Sequence, residues 1–237
     1  MKIALCLSGQ PRSLQEGFHY HSRNLLQENE VDVFAHSWHS DENGKIIRIY
    51  NTVKYIFEKP KFGDEHDKKY HYTDDVNTWP PRNALSAYYS IYTANQLKCQ
   101  YENEMGFKYD WVIRSRYDYA LNTIIPFNKL NNKRLYAPDR FFNGQKTQLM
   151  CDQFAFSNSE FMDKYSETYL HIDEFYSNGT WMIGEHLLGC NMHKQCLVDR
   201  LTYFEMNRPF SERDPSSSGL IRTDHKKWKR LSNTLDN

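Results

Sequence analysis

The stretch Tyr109–Leu121 constrains the fold of this 237-residue chain more than any other. It opens with the apolar, strand-forming run Trp111-Val112-Ile113 and then changes to charge at Arg114, Arg116 and Asp118. An apolar run that ends in charge predicts a buried strand whose carboxyl end emerges at a polar site. In open α/β sheets ligands bind at that end. We therefore expect Asp118 to hold a divalent cation against a diphosphate and Arg116 to contact phosphate oxygens. The alternative is a structural ion pair between the two.

The N-terminal segment predicts a second anion-binding element. Lys2–Ser8 is apolar enough for a buried strand, and it ends in Ser8-Gly9-Gln10-Pro11-Arg12. Ser13-Leu14-Gln15-Glu16 then has the capping-box pattern that starts a helix. A strand, a glycine turn and a helix N-terminus together favour an anion, which makes Ser8, Gly9, Gln10 and Arg12 candidates for nucleotide binding. The loop matches neither G-x-G-x-x-G nor a Walker loop, so an ordinary βα turn is the alternative.

Strands and helices alternate along the chain, which predicts one α/β domain with a mostly parallel central sheet flanked by helices. We expect this domain to span residues 1–210 and to be followed by a polar, basic tail at 211–237, which is solvated or touches an anionic membrane. The remaining predicted strands are Val31–Trp38, Val53–Phe57, Arg134–Ala137 and Cys151–Ser157. The remaining predicted helices are Pro81–Met105, a segment from Asn158 or Ser159 to about Phe175, and Trp181–Arg200.

Charge and cysteine usage exclude some functions. The chain has 30 basic and 30 acidic residues, and this balance argues against a protein built for nucleic-acid binding. The five cysteines are scattered and odd in number, which predicts reduced thiols and a cytoplasmic location. We expect no secretory signal and no stretch long enough to cross a bilayer.

Four segments, taken in order, resemble the GT-A nucleotide-sugar glycosyltransferases, especially the small bacterial and viral enzymes that decorate surface glycans. They are Ala4–Arg12, Asp32–Trp38, Tyr109–Asp118 and Asp152–Phe156. The resemblance covers most of residues 1 to about 200. It implies a nucleotide-sugar donor over the first strand, a glycan or lipid-linked acceptor, and Mn²⁺ or Mg²⁺ bridging the donor diphosphate at a D-x-D motif.

Arg116-Tyr117-Asp118 stands where the resemblance places the D-x-D motif. The second acid is present, so the resemblance carries the metal or ribose ligand over to Asp118. Arginine replaces the first acid, and a fixed guanidinium can itself neutralise diphosphate charge.

An inverting transferase also needs a carboxylate that takes the acceptor's proton, and Asp152 and Glu185 are the candidates. Glu185 resembles the acid found late in many such enzymes, near the acceptor. Its alternative role is to favour the dipole at a helix N-terminus, and Asp152 has the alternative role of orienting a sugar.

Other functions compete with this interpretation. His186, Cys190 and His193 share a helical face, with Cys196 following, and are zinc-type ligands. The polar, acidic composition of segment 59–81 predicts a long loop or lid. The acidic residues within Asp64–Asp67 and at Asp74-Asp75 could ligate a metal. A non-catalytic module that binds nucleotide-sugars or glycans, and a sulfotransferase-like enzyme suggested by the Ser8–Arg12 turn, are the remaining alternatives.

Overall fold

A seven-stranded sheet forms the centre of the computed structural model, which describes residues 1–70, 80–138, 150–204 and 219–220. The strands are β1 Ile3–Ser8, β2 Val31–Trp38, β3 Lys54–Glu58, β4 Trp111–Ser115, β5 Tyr119–Ala120, β6 Leu135–Pro138, β7 Phe154–Ser157, β8 Leu201–Phe204 and β9 Gly219–Leu220. The central sheet has the order β3-β2-β1-β4-β7-β6-β8, while β5 and β9 form a separate antiparallel pair.

The central sheet is mostly parallel. β1 is parallel to both β2 and β4, and β3 is parallel to β2. β7 runs antiparallel between β4 and β6, and β8 is parallel to β6. The strand order reverses between β1 and β4, which is the switch point where open α/β sheets bind ligands at the carboxyl ends of their strands. The predicted fold class is therefore confirmed.

Helices cover both faces of the sheet. They are α1 Leu14–His21, α2 Asn43–Tyr50, α3 Asp64–Lys69, α4 Pro81–Met105, α5 Ser159–Ser166, α6 Ile172–Ser177 and α7 Gly184–Lys194. One hydrophobic cluster joins the sheet to α4, α5 and α7, and we call this side the α4 face. A second cluster joins the opposite side of the sheet to α1 and α2.

Alternation along the strands determines which side chains reach each face. In β1, Ala4 and Cys6 pack on the α4 face, and their sequence neighbours pack on the other. In β4, Val112 packs on the α4 face and Ile113 on the other, so Arg114 follows Val112 onto the α4 face. Because both faces are buried, β1 and β4 carry apolar residues at consecutive positions, Ile3–Leu7 and Trp111–Ile113, rather than at alternate ones.

The long helix α4 is the element that the sequence predicted best. It begins with proline at its first turn and ends where Gly106 adopts the left-handed conformation, with φ 69°. The predicted strands β1, β2, β3 and β6 are also confirmed to within a residue or so at each end.

Two short helices contradict or extend the predictions. No helix was predicted at α2, which buries only Ile46 and Tyr50. Segment 59–81 was predicted to be a loop, but it contains α3. Asp74-Asp75 and the tail from 211 lie outside the described residues, apart from β9, so the predictions for them, including the membrane contact, are not tested.

Three predicted element boundaries also differ. β7 begins at Phe154 instead of Cys151. The predicted helix Trp181–Arg200 is confined to α7, because Ile183 is extended and Cys196 takes a left-handed φ of 54°. Ser13 precedes α1, but the predicted capping box is wrong. Ser13 has a φ of 43°, whereas an N-cap residue needs extended backbone for its hydroxyl to accept a hydrogen bond from the helix.

Within the described ranges, no helix is both long and apolar enough to cross a bilayer. All five cysteines lie in these ranges, and none of them forms a disulfide. The cytoplasmic location remains a prediction.

Candidate active site at the carboxyl ends of β1 and β4

The loop after β1 and the loop after β4 leave the sheet side by side. Leu7 pairs with Ser115 across the two strands, so Ser8 is adjacent to Arg116. Gly9 has a φ of 106°, and a Cβ added there would meet nothing within 4 Å. The glycine is therefore required by its backbone conformation, and the space beside it is open to a ligand.

A buried chain of hydrogen bonds fixes the position of Gly9. Its backbone N–H donates to Ser90 Oγ of α4 over 2.7 Å. Ser90 Oγ lies 2.7 Å from His36 Nδ1, and His36 Nε2 lies 3.1 Å from a carboxylate oxygen of Glu58. Burial lowers the pKa of His36, and Glu58 opposes this shift. Elements α4, β2 and β3 together therefore hold the loop after β1.

Arg116 and Asp118 form a bidentate ion pair directly after β4. Arg116 Nε donates to Asp118 Oδ1 over 2.7 Å, and Nη2 donates to Oδ2 over 2.8 Å. The side chains are 32% and 5% exposed, respectively. Burial disfavours the charged guanidinium, but the bonds to Asp118 and the charges of Asp118 and Asp152 raise the pKa of Arg116 above its ordinary value. The ion pair expected as the alternative role is thus present, and metal ligation by Asp118 stays a prediction.

Helix α1 passes directly under this ion pair. A Cβ added at Gly17 would lie 1.7 Å from the backbone oxygen of Tyr117. Only glycine permits the helix to approach the segment so closely.

A buried histidine supports the end of β4 from the same side. His21 Nε2 lies 3.0 Å from Ser115 Oγ, and its Nδ1 lies 2.8 Å from the hydroxyl of Tyr50. Burial lowers the pKa of His21 to about 4, although the charge of Asp118 opposes the shift. The imidazole is therefore neutral at pH 7, and it holds Ser115 beside the ion pair.

Asp152 and Glu185 meet at the start of α7. A Cβ added at Gly184 would lie 2.7 Å from Asp152 Oδ2, so this carboxylate lies against the first residue of the helix. Glu185 is the next residue, in the first turn. The hydroxyl of Tyr88 donates to the Gly184 carbonyl over 2.6 Å and anchors this end of α7 to α4. An acid is favoured at a helix N-terminus by the partial positive charge there.

The acids and arginines share one electrostatic environment. Burial raises the pKa of Tyr88 well above its ordinary value, Asp152 and Glu185 raise it further, and Arg114 lowers it. Asp152 also raises the pKa of Arg116. Asp152 therefore lies within electrostatic reach of both Arg116 and Tyr88, and Glu185 lies within reach of Tyr88, so three segments distant in sequence contribute to this region.

The candidate residues of the loop after β1 differ in their exposure. Ser8 is buried, and its hydroxyl has no hydrogen-bond partner among the described residues. Gln10 and Arg12 are exposed. Nucleotide contacts by Ser8, Gln10 and Arg12 stay predictions.

Sequence reasoning assigned no role to four residues that shape the site, namely Gly17, His36, Tyr88 and Ser90. Gly17 carried a signal, because glycine within a helix is destabilising and indicates a close approach. Tyr88 has the spacing of a core residue, so its hydroxyl bond to Gly184 was not visible in the pattern.

One group in the described ranges could hold a metal ion, and it does not include Asp118. Cys99, Glu102 and Asp163 place one ligand atom each within 4.8 Å of one another. However, the ammonium group of Lys98 already contacts Asp163 over 2.6 Å and Glu102 over 3.1 Å. A cation of the protein itself therefore compensates these carboxylates.

The other predicted metal ligands do not form such a group within those ranges. The His186 ring stacks on Trp181 with 5.8 Å between centroids, and Cys190 lies 3.4 Å from the hydroxyl of Thr180. Asp64 and Asp67 both form ion pairs with Arg82.

Comparisons with known proteins give likeness in structure but none in sequence. No protein-family model and no curated protein sequence matches the chain. Among solved structures, it is similar to a glycosyltransferase involved in the glycosylation of the major capsid of PBCV-1, with a TM-score of 0.45 and 9% identity over 100% of both chains. A likeness at this level bears on neither activity nor substrate.

Proposed function

We propose that the chain transfers a sugar from a nucleotide-sugar donor to a hydroxyl group of a glycan or lipid-linked acceptor. One observation supports this proposal above the others. The ion pair of Arg116 and Asp118 follows β4 at the switch point between β1 and β4, within electrostatic reach of Asp152, which lies against Gly184 and so beside Glu185. Such a site offers a cation for a diphosphate and carboxylates for a sugar and its acceptor.

The donor nucleotide lies over the loop after β1 in this proposal. The open space beside Gly9 admits the nucleotide against the backbone. The buried hydroxyl of Ser8 and the exposed side chains of Gln10 and Arg12 are its proposed contacts. The diphosphate then reaches Arg116, whose side chain is partly exposed.

The reaction divides between the arginine and the two acids. The acceptor oxygen attacks the anomeric carbon, and the bond from that carbon to the diphosphate oxygen breaks with its electron pair leaving on the diphosphate. Arg116 stabilises the negative charge that develops there. The acceptor's proton passes to the carboxylate of Asp152 or Glu185.

The residues fit a divalent cation only in part. Asp118 offers one carboxylate, which is enough for a Mg²⁺ or Mn²⁺ ion that also binds phosphate oxygens. Both oxygens of that carboxylate accept bonds from Arg116. Metal ligation would require this pair to open, so we derive no step through a metal.

Release of nucleotide from UDP-, GDP-, CMP- and dTDP-sugars tests the proposal. We expect turnover with one nucleotide class, and we expect Asp152→Asn or Glu185→Gln to lower it by roughly 10²- to 10⁴-fold, because proton transfer by a positioned acid contributes that much. Glu160→Gln is the matched control, since Glu160 is exposed.

Three outcomes distinguish the alternatives. No turnover with any donor contradicts the enzyme. Sugar-nucleotide binding that survives the loss of both acids, without turnover, favours the non-catalytic module. Binding of a sulfonated adenine nucleotide, but of no sugar nucleotide, favours the sulfotransferase-like enzyme.

A further inference from the structure

Arg114 is a buried cation whose hydrogen bonds are incomplete. It lies on β4 between Cys6 of β1 and Ala155 of β7, and its side chain follows Val112 onto the α4 face. The residue is 5% exposed. Its Nε and Nη1 atoms have no hydrogen-bond partner in the part of the chain that the structure describes.

A second unpartnered donor, the hydroxyl of Tyr165, belongs to the same buried cluster as Ala155, the residue that pairs with Arg114 across the sheet. Tyr165 of α5 is fully buried, and its hydroxyl also has no partner within the described ranges. Burial raises the pKa of Tyr165 and the charge of Arg114 lowers it, as it does for Tyr88. Arg114 thus lies within electrostatic reach of both phenols. The charged guanidinium of Arg114 and the neutral hydroxyl of Tyr165 therefore both have donors without an acceptor among the described residues.

Unpaired buried charge is costly, so this arrangement calls for a partner from outside the chain. Asp152 is a candidate within the protein, since its charge raises the pKa of both Tyr88 and Tyr165. Its carboxylate, however, lies against Gly184, and no described acid forms an ion pair with Arg114.

We propose that Arg114 and Tyr165 form a binding site for one oxyanion, a carboxylate or phosphate group of the substrate. Guanidinium and phenol both donate, which suits a group that only accepts. A neutral sugar would leave the guanidinium unpaired, so the site would select an acidic substrate.

Position along β4 favours the sugar over the diphosphate as the source of this group. Arg114 lies within β4, whereas Arg116 follows the end of the strand two residues later, so Arg114 lies about 7 Å deeper in the sheet. It lies towards Tyr88, which is also within reach of Asp152 and Glu185. Assigning the oxyanion to a sugar rests on the proposed function, whereas the oxyanion site itself does not.

Melting temperatures with inorganic phosphate, glucuronate and glucose test the site without a nucleotide. Phosphate and glucuronate, but not glucose, should raise the melting temperature of the native chain by mass action. Arg114→Met should abolish this rise, Tyr165→Phe should reduce it, and Arg23→Met, at an exposed arginine, should leave it unchanged. Without ligand, Arg114→Met should melt at the native temperature or above it, because an uncompensated buried charge is lost.

Several outcomes overturn the site. If phosphate and glucuronate leave the native melting temperature unchanged, Arg114 and Tyr165 bind an ordered water only. If the rise persists in Arg114→Met, the anions bind elsewhere. If Arg114→Met melts well below the native chain and binds phosphate normally, Arg114 has a structural role.

Two further arms separate the sources of the oxyanion and the two proposals. A glucuronate shift that requires Arg114 supports a carboxylate on the sugar. If UDP gives a shift that requires Arg114 and glucuronate gives none, the oxyanion site is supported and binds the diphosphate. If phosphate binds through Arg114 but no sugar nucleotide binds at all, the oxyanion site stands and the proposed function fails.

Discussion

Two buried cations on the α4 face differ in how completely the protein surrounds them. Lys98 of α4 is fully buried, and its ammonium group contacts Glu102, Asp163 and Ser159 over 3.1, 2.6 and 2.7 Å. Arg114 is almost as buried, yet two of its nitrogens have no partner in the described chain. The same face therefore holds one closed and one open polar cluster.

The contrast separates a structural role from a binding role. The partners of Lys98 come from α4 itself and from α5, and they tie the two helices together. Arg114 lies instead near the carboxyl end of β4, beside the candidate site. A buried cation with two nitrogens that lack a partner among the described residues is costly to the fold, so we interpret Arg114 as a residue kept for what it binds.

Replacing Lys98 should give the largest change in stability. Lys98→Met leaves Glu102, whose side chain is fully buried, and Asp163 without their shared cation. We expect the free energy of unfolding to fall by about 3 kcal/mol, measured by urea denaturation. Arg114→Met is the matched control and should lose none. Equal losses in the two variants would show that Arg114 has the same structural role as Lys98.

Gly184→Ala should act on turnover more than on stability. The new Cβ would lie 2.7 Å from Asp152 Oδ2, and the carboxylate can move away more easily than a backbone. We expect nucleotide release to fall by about 10²-fold, because a displacement of about 1 Å in a catalytic group has that effect. Gly44→Ala is the control, since a Cβ there meets nothing within 4 Å. Unchanged turnover in Gly184→Ala would remove Asp152 from the reaction.

His21 should make stability depend on pH below neutrality. Its pKa is about 4 in the folded chain because of burial, and ordinary in the unfolded chain. At pH values between the folded and the unfolded pKa, the unfolded chain therefore binds more protons than the folded chain. The contribution of His21 to stability is fully present above the unfolded pKa, and it is lost as the pH falls towards the folded pKa. From pH 7 to pH 5 the native chain should lose about 2 kcal/mol more than His21→Gln. Identical pH profiles would show that His21 is not held neutral, and His193→Gln, at an exposed histidine, is the control.

The sequence predicted the elements whose signals are local. β1 and β4 are apolar runs that end in polar residues, and α4 has proline at its start and Gly106 at its end. Helix α2 escaped prediction because only two of its residues are buried, so its stability depends on packing rather than on pattern. The capping box at Ser13 failed because the tight turn imposes a left-handed backbone.

The sequence pointed to the residues of the candidate site but not to the hydrogen bonds and ion pairs between them. The rule that ligands bind at strand ends pointed to Asp118, and the family resemblance pointed to Asp152 and Glu185. The sequence left the bidentate bond between Arg116 and Asp118 as one of two options. The missing partners of Arg114 depend on distances between remote segments, which no local pattern encodes.

A thermal-shift screen with UDP-, GDP-, CMP- and dTDP-sugars, each with and without Mn²⁺, shows whether a sugar nucleotide binds at the ends of β1 and β4. We expect one nucleotide class to raise the melting temperature of the native chain, and Arg116→Gln to remove the rise. If the rise also needs Mn²⁺ and is lost in Asp118→Ala, then Asp118 is the metal ligand. If the rise is the same with and without Mn²⁺, then Arg116 binds the diphosphate without a metal. No rise with any sugar nucleotide would contradict a donor site at the ends of β1 and β4.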